Sequence, residues 1–349
     1  MDPEISILII THNQRLLLER CLDSVLKQVI KVPYEIIISD DGAADGTEEY
    51  VKGLNATDRV LSNKNLLRLS WIHCNSEDCS PITSGHRIGW NRLTAYKQAR
   101  GKYFVCVDAD DFLIGTDLYQ KEYEMLEVHP ECSMVQARTL RLNDGEGLDK
   151  VRSCFPYSEK LLSGAVFSLE EFLRNGLRGQ FQSNMFRRRP QDDMERVFYL
   201  GRGFDDIYIT YYHLQYGAMV FLDITGYVWV QYPTSDSHSL NSDDKKVLYG
   251  LIPLSLTILL KDSKYVFLRL GIRKLRGTIA STPVYPKLSE KGFLSCSKSK
   301  IFAYRFYGEK KHSMTSWFRF YIVWLLLLLM KRLRLESKFW LDMLYRAMV

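Results

Sequence analysis

The sequence predicts an α/β protein built on an open, doubly wound and mostly parallel sheet, followed by a helical, basic and apolar C-terminal extension. Three observations carry this expectation. Apolar runs rich in β-branched residues recur at 5–10, 34–39 and 103–107, the pattern of strands buried on both faces. Segments with helically spaced apolar residues lie between them. Each run stops at a polar cluster: Thr11-His12-Asn13, Asp40-Asp41-Gly42 or Asp108-Ala109-Asp110-Asp111. Ligands of such sheets bind outside the carboxyl ends of the strands.

The elements follow in order. Ile5 to Ile10 is the first strand, and Leu18, Cys21, Leu22, Val25 and Leu26 mark one face of the helix after it. Tyr34 to Ser39 repeats the buried-strand pattern, and a short helix is expected from Thr47 to Lys52. Asn91 to Arg100 reads as a helix ended by Gly101, and Tyr103 to Val107 as the third strand. Beyond Ser133 the pattern loosens. Ser168 and Glu171 form a capping box that opens a helix, Gln182 to Arg187 reads as a strand, and Phe204 to Tyr216 as a helix. Residues 218–232 read as two strands with a turn at Thr225-Gly226. A boundary is placed near residue 244, separating a catalytic domain (1–244, with halves 1–120 and 121–244) from the extension 245–349.

The net charge of +6 hides a division. Residues 261–349 carry 19 Lys and Arg against 5 Asp and Glu, leaving 28 against 36 in the first 260. An acidic body with a basic tail suggests a soluble domain joined to a segment for an anionic surface. Seven cysteines, an odd count with no C-x-x-C pair, argue for reduced thiols in a cytosolic protein and against a disulfide frame or zinc ribbon. The N-terminus shows no basic region followed by a long apolar stretch, so no secretory signal is expected.

Three carboxylates within four residues at a buried strand's end repel one another unless a cation or solvent relieves them. Alternate residues of an extended chain share a face, so Asp108 and Asp110 can converge on one ligand while Asp111 turns away. Hard oxygen donors suit Mg²⁺ or Mn²⁺. The competing reading is a solvated loop in which Asp111 caps the next turn. At Asp40-Asp41-Gly42 the carboxylates can accept hydrogen bonds from a base N–H or a ribose hydroxyl, or can simply serve turn chemistry.

Together the strand ends ISILIITHNQ, YEIIISDDGAADGT and GKYFVCVDADD resemble the nucleotide-binding half of family-two glycosyltransferases with the GT-A fold. The likeness is close over residues 4–120 and weaker to about 240. It implies a nucleotide-sugar donor received at Thr11 and Asn13, base contact from Asp40 or Asp41, Asp108 near ribose and metal, and Asp110 as main ligand of Mn²⁺ or Mg²⁺. His12 stands where the family usually has an aromatic residue. Asn91-Arg92 reverses the family's usual order, so no donor contact is assigned to it.

The resemblance also implies an acidic pair opening a helix in the acceptor half, matched by Asp205-Asp206. An inverting transfer needs one carboxylate to take the acceptor hydroxyl's proton, and a helix N-terminus keeps it ionised. Asp206 matches the usual base position, with Asp205 next in line; the alternative is that Asp205 only caps the helix. His238, in a loop resembling the family's segment after the sheet, is a candidate for the metal or diphosphate. Gln182 and Ser183 are weaker candidates for the acceptor side, and the basic run 187–189 reads as an anion contact or solvated charge.

Phe320 to Met330 is eleven apolar residues, about 16 Å as helix against a hydrocarbon thickness of ~30 Å. That is too short to span a membrane. The following stretch mixes Lys and Arg with Trp, Phe, Leu and Tyr, which suits a helix lying in an anionic membrane interface. Packing on the domain and a dimer contact are the alternatives, and nucleic acid is a poor partner for a Leu run. The sequence thus predicts a metal-dependent inverting enzyme, peripheral on the inner face of the cell membrane, acting on a glycan or polyprenyl-linked acceptor. The competing functions are a nucleotidyltransferase of similar fold, disfavoured by the lack of a Gly-rich triphosphate loop, and a catalytically silent glycan-binding scaffold.

Overall fold

Every residue of the first strand is buried, as a continuous apolar run requires when both faces of a sheet are covered. The computed structural model describes residues 2–42, 44–74, 84–154, 161–174, 181, 183–201 and 205–233, all within one compact unit, Met1–Ser235. Gln182, His238, the 244 boundary and the whole basic extension lie outside the described residues.

In chain order the elements are β1 (Ile5–Thr11), α1 (Arg15–Leu26), β2 (Tyr34–Asp40), α2 (Thr47–Asn55), α3 (Asp58–Leu61), β3 (Leu66–His73), α4 (Ser84–Gln98), β4 (Tyr103–Asp108) and β5 (Phe112–Leu113). They continue with α5 (Leu118–Val128), β6 (Cys132–Asn143), β7 (Arg152–Ser153), β8 (Val166–Phe167), α6 (Leu169–Arg174), β9 (Asn184–Arg187), α7 (Gln191–Gly201), α8 (Asp205–His213) and β10 (Ala218–Gln231). One sheet runs β3-β2-β1-β4-β9-β6-β10-β5, with β7 paired to β6 and β8 to β10. Its long pairings are parallel: β1 with β2 and β4, β2 with β3, and β6 with β10. The four-residue β9 is antiparallel to both β4 and β6 and thereby joins the two parallel groups.

The predicted helical face of α1 is buried at Leu18, Cys21, Leu22, Val25 and Leu26, packing with Ile5, Ile7 and Ile9 of β1 and Ile36 and Ile38 of β2. The capping box forms as expected: Glu171 accepts from the Ser168 amide at 2.9 Å, and the Glu171 amide donates to Ser168 Oγ at 3.3 Å. Arg187 is half-buried and its guanidinium is taken up within the fold. Its guanidinium donates to the carbonyls of Cys132 (2.6 Å), Leu126 (2.6 Å) and His129 (3.1 Å) and to the Tyr103 hydroxyl (2.8 Å). It closes the C-terminal end of α5, where a cation is favoured.

One element differs in kind from its expectation. Residues 218–231 are a single strand, and both halves pair in parallel with β6. What reads as a turn at Thr225-Gly226 is a bulge. Between Leu222 and Tyr227 the strand advances five residues while β6 advances two, from Ala137 to Thr139. Gly226 is required there because α5 passes close by: a Cβ would meet the Leu118 Cβ at 2.9 Å. Glycine in a strand marks a bulge or a close approach, and here it marks both. Among the described residues no helix is long and apolar enough to cross a membrane.

Candidate active site

The carboxyl ends of β1, β2 and β4 are laced together by their own backbone. Thr11 O accepts from the Asp41 amide at 3.0 Å, and Ile10 O accepts from the Ala109 amide at 3.0 Å. Asn91 of α4 donates its side-chain amide to Thr11 O at 3.1 Å. Asn13 holds the left-handed conformation (φ 53°). Beside it, His12 Nδ1 lies 2.6 Å from the Asp41 carbonyl, and its Nε2 lies 3.2 Å from Asn13 Nδ2. A carbonyl can only accept, so Nδ1 carries the proton and Nε2 accepts from Asn13.

The second half of the D-D-G-x-x-D-G-T pattern is structural. Asp45 accepts from the Arg15 amide at 2.9 Å and from the amide (3.2 Å) and hydroxyl (2.7 Å) of Thr47. Partial burial works against its ionisation, but the Thr47 and Arg15 donors outweigh it and hold the carboxyl below its usual range. Gly46, at φ 83°, supplies the left-handed residue that starts α2. The first half of the pattern faces inward. Asp40 is fully buried and accepts from Trp71 Nε1 at 3.3 Å. Thr11 Oγ1 and Asp41 Oδ1 are buried with no hydrogen-bond partner among the described residues, a state that native interiors seldom leave unexplained.

At the end of β4, three elements grip the acidic turn. Arg92 of α4 meets Asp108 Oδ1 at 2.6 Å. Arg20 of α1 donates to the Asp110 carbonyl and, at 3.1 Å, to the Tyr232 hydroxyl. Asp111 turns away from its neighbours, as the strand alternation predicts: Oδ2 accepts from the Tyr227 hydroxyl and Oδ1 from the Val230 amide, both at 2.8 Å. It is therefore buried in the sheet and does not cap a solvated turn.

Electrostatics separate the three carboxyls. Burial, and then the Asp108 charge, pushes Asp110 up to about 6 against the pull of Arg20 and Arg92. Burial and the two neighbouring carboxylates push Asp111 up as well, opposed by its hydrogen bonds from Val230 and Tyr227. The Asp108 and Asp110 pair thus presents hard oxygen donors, half-buried and in mutual repulsion, which fits a divalent cation of the Mg²⁺ or Mn²⁺ type.

Asp205 and Asp206 are the first described residues of α8. Asp206 Oδ1 accepts from the Ile207 amide at 2.7 Å. The helix packs on α7, and α7 on α4, the helix that carries Asn91 and Arg92. Ser183 does not present itself to an acceptor: it is buried, and its hydroxyl donates to Arg138 O at 3.1 Å. Asn91, Arg92, Arg20, Trp71 and Tyr227 are site residues that sequence reasoning left without a role. Their partners lie between 16 and 212 positions away; Asn91-Arg92 stands out in the sequence only by its reversed order, and Arg20, Trp71 and Tyr227 carry no local signal.

The sequence profile of glycosyl transferase family 2 matches residues 6–161, a span that holds Thr11, Asn13, Asp40, Asp41, Asp108 and Asp110. Residues 6–161 belong to that family. The chain is 28% identical over 155 residues to the GalNAc(5)-diNAcBac-PP-undecaprenol beta-1,3-glucosyltransferase of Campylobacter jejuni, covering 42% of this chain and 44% of that protein. It is 24% identical over 148 residues to glycosyltransferase GlyA of Streptococcus pneumoniae, covering 42% of this chain and 18% of GlyA. The chain therefore spans less than half the length of these curated relatives. The crystal structure of S. aureus TarS 1-349 with UDP-GlcNAc superposes with a TM-score of 0.56 at 16% identity, covering 84% of this chain and 77% of that one. The fold shared across that distance is GT-A: a mixed, mostly parallel sheet with the family 2 residues at its carboxyl edge.

Proposed function

We propose that the protein is an inverting glycosyltransferase that moves a sugar from a nucleoside-diphosphate donor to a hydroxyl of a glycan or lipid-linked acceptor. The observation that carries this reading is the Asp108 and Asp110 pair: two half-buried carboxyls in mutual repulsion at the end of β4, inside a family 2 region. Asp110 and Asp108 would hold Mn²⁺ or Mg²⁺. When bound, such a cation neutralises charge on a departing diphosphate. Thr11 Oγ1 and Asp41 Oδ1, buried without a partner among the described residues, would supply a donor and an acceptor for the nucleotide, and Asn13 lies in the same loop.

Asp206 takes the proton of the acceptor hydroxyl as that oxygen bonds to the anomeric carbon and the carbon–phosphate-oxygen bond breaks. Attack from the face opposite the diphosphate inverts the anomeric centre. Asp205 is the adjacent candidate. The name of the C. jejuni relative, which places its acceptor on a diphosphate-linked undecaprenol, supports a lipid-linked acceptor here. The basic, aromatic-rich extension supports delivery of that acceptor at an anionic membrane, on the cytosolic face.

A thermal-shift screen of nucleoside diphosphates and nucleotide sugars with and without Mn²⁺ tests the donor site, because a ligand specific to the folded state raises Tm. The proposal expects a nucleotide shift that requires Mn²⁺ and disappears in Asp110→Asn. No shift with any nucleotide would sink it. Membrane association has its own test: removal of residues 315–349 is expected to move the protein from the membrane to the soluble fraction, and unchanged partitioning would end that part of the reading.

A further inference from the structure

Asp111 is the carboxylate that the donor-site chemistry does not use, yet it is the most completely bonded of the three. Its two oxygens accept from the Tyr227 hydroxyl and the Val230 amide at 2.8 Å each. Its own amide donates back to Asp108 O at 2.9 Å and closes the turn. The Tyr227 hydroxyl also accepts from the Asp108 amide at 3.4 Å. One phenol oxygen therefore touches both ends of Asp108-Ala109-Asp110-Asp111, and both Tyr227 and Asp111 are at most 2% exposed.

The bulge in β10 puts the phenol there. Side chains alternate along a strand, so the count of residues between two points decides which face each one takes. The three extra residues between Leu222 and Tyr227, relative to β6, re-aim the strand, a recurrent use of bulges beside active sites. Beyond the bulge, Tyr227 and Val228 pair antiparallel with Leu113 and Phe112 of β5, the residues immediately after the acidic turn. The turn is thus held by the ladder on its far side and by the Tyr227 hydroxyl across its mouth.

We infer that Tyr227, with Asp111, is a positioning residue that fixes how Asp108 and Asp110 are presented to the donor's cation. The inference rests on the donor-site reading above. Two repelling carboxylates on a short turn spread unless the backbone beneath them is pinned; the Tyr227 hydroxyl pins it at the amide of one ligand and, through Asp111, next to the other. Phenylalanine at 227 keeps the buried ring and removes only that oxygen. Asparagine at 111 cannot accept at both positions.

The test titrates the full chain with Mn²⁺ alone, reading free Mn²⁺ by electron paramagnetic resonance, and follows amide exchange across residues 108–111 without metal. Tyr227→Phe and Asp111→Asn are each expected to weaken Mn²⁺ binding about five- to tenfold, the size of one lost hydrogen bond, and to speed that exchange. The double variant is expected to be no worse than either single, since both remove one unit. A lowered Tm with unchanged Mn²⁺ affinity would reduce Tyr227 to a structural residue and overturn the inference, as would additive losses. Asp110→Asn separates the two failures. If it abolishes binding while Tyr227→Phe binds like wild type, only the positioning role falls. If wild type binds no more Mn²⁺ than Asp110→Asn, the donor-site reading falls and takes the positioning role with it.

Discussion

The guanidinium of Arg92 meets the carboxylate of Asp108 at 2.6 Å, with the Arg92 side chain 7% exposed and that of Asp108 28%. The guanidinium also lies 4.5 Å from the centroid of the Phe181 ring. A cation is thus already built into the acidic turn, on the residue nearest the β4 backbone.

Arg92→Met keeps the volume and removes the charge. It should lower the stability of the metal-free protein by about 2–3 kcal/mol, under the ~3–5 kcal/mol of a fully buried broken pair because Asp108 keeps some solvent. Added Mn²⁺ should recover part of the loss, since a divalent ion can replace the missing cation. Thermal unfolding with and without Mn²⁺ reads both effects; equal losses in the two conditions would show that Arg92 acts through packing alone.

Asp206→Asn should lower transfer about 10²–10⁴-fold, the range of a lost general base, while nucleotide-sugar binding stays near wild type. Single-turnover kinetics beside equilibrium binding measure this. Turnover near wild type would remove Asp206 from the mechanism, and the same assay on Asp205→Asn would then decide its neighbour.

Glu122 on α5 is fully buried, and neither carboxylate oxygen has a partner among the described residues. Burial pushes its acid group well above the ordinary range. The folded state therefore holds a proton that the unfolded chain releases near pH ~4.3, so this group makes stability fall as pH rises above that value, by up to ~1.4 kcal/mol per pH unit until the folded group ionises. Glu122→Leu should flatten that decline and raise Tm at pH 8 more than at pH 5. Equal Tm gains at every pH would show that Glu122 does not titrate with folding.

Arg187→Lys keeps the charge but not the fork that reaches three carbonyls and a phenol. A loss of about 2–4 kcal/mol is expected, read as a lower urea midpoint at unchanged slope. A midpoint within error of wild type would mean that water serves those carbonyls equally well.

The parts of this fold that can be read from sequence are those with one dominant physical signal. β1, β2 and β4 are dominated by apolar residues because both faces are covered, and they end where polar clusters begin. β3 escapes notice because it is the edge strand, with Leu69 its one buried residue and Arg68 and Ser70 interrupting the run. β6 escapes because its buried positions include Gln136 and Thr139, polar residues inside the sheet that break the apolar pattern. Gly226 reads as a turn because glycine signals several backbone irregularities alike, and only the proximity of Leu118 selects the bulge. The candidate site divides in the same way. Its acidic residues announce themselves in short motifs, whereas Asn91 and Arg92 are marked only by a reversed order that assigns them no contact, and Tyr227 reaches the site from β10 with no local mark.

The bulge in β10 has an evolutionary consequence. Along an ordinary surface loop, gaining or losing one residue is among the mildest changes a lineage can accept. Within residues 223–225 the same event would reverse the parity of everything after it, turning Tyr227 and Val230 away from Asp111 without altering a single side chain. At this stretch the inherited quantity is segment length, and substitution should be tolerated far better than insertion or deletion.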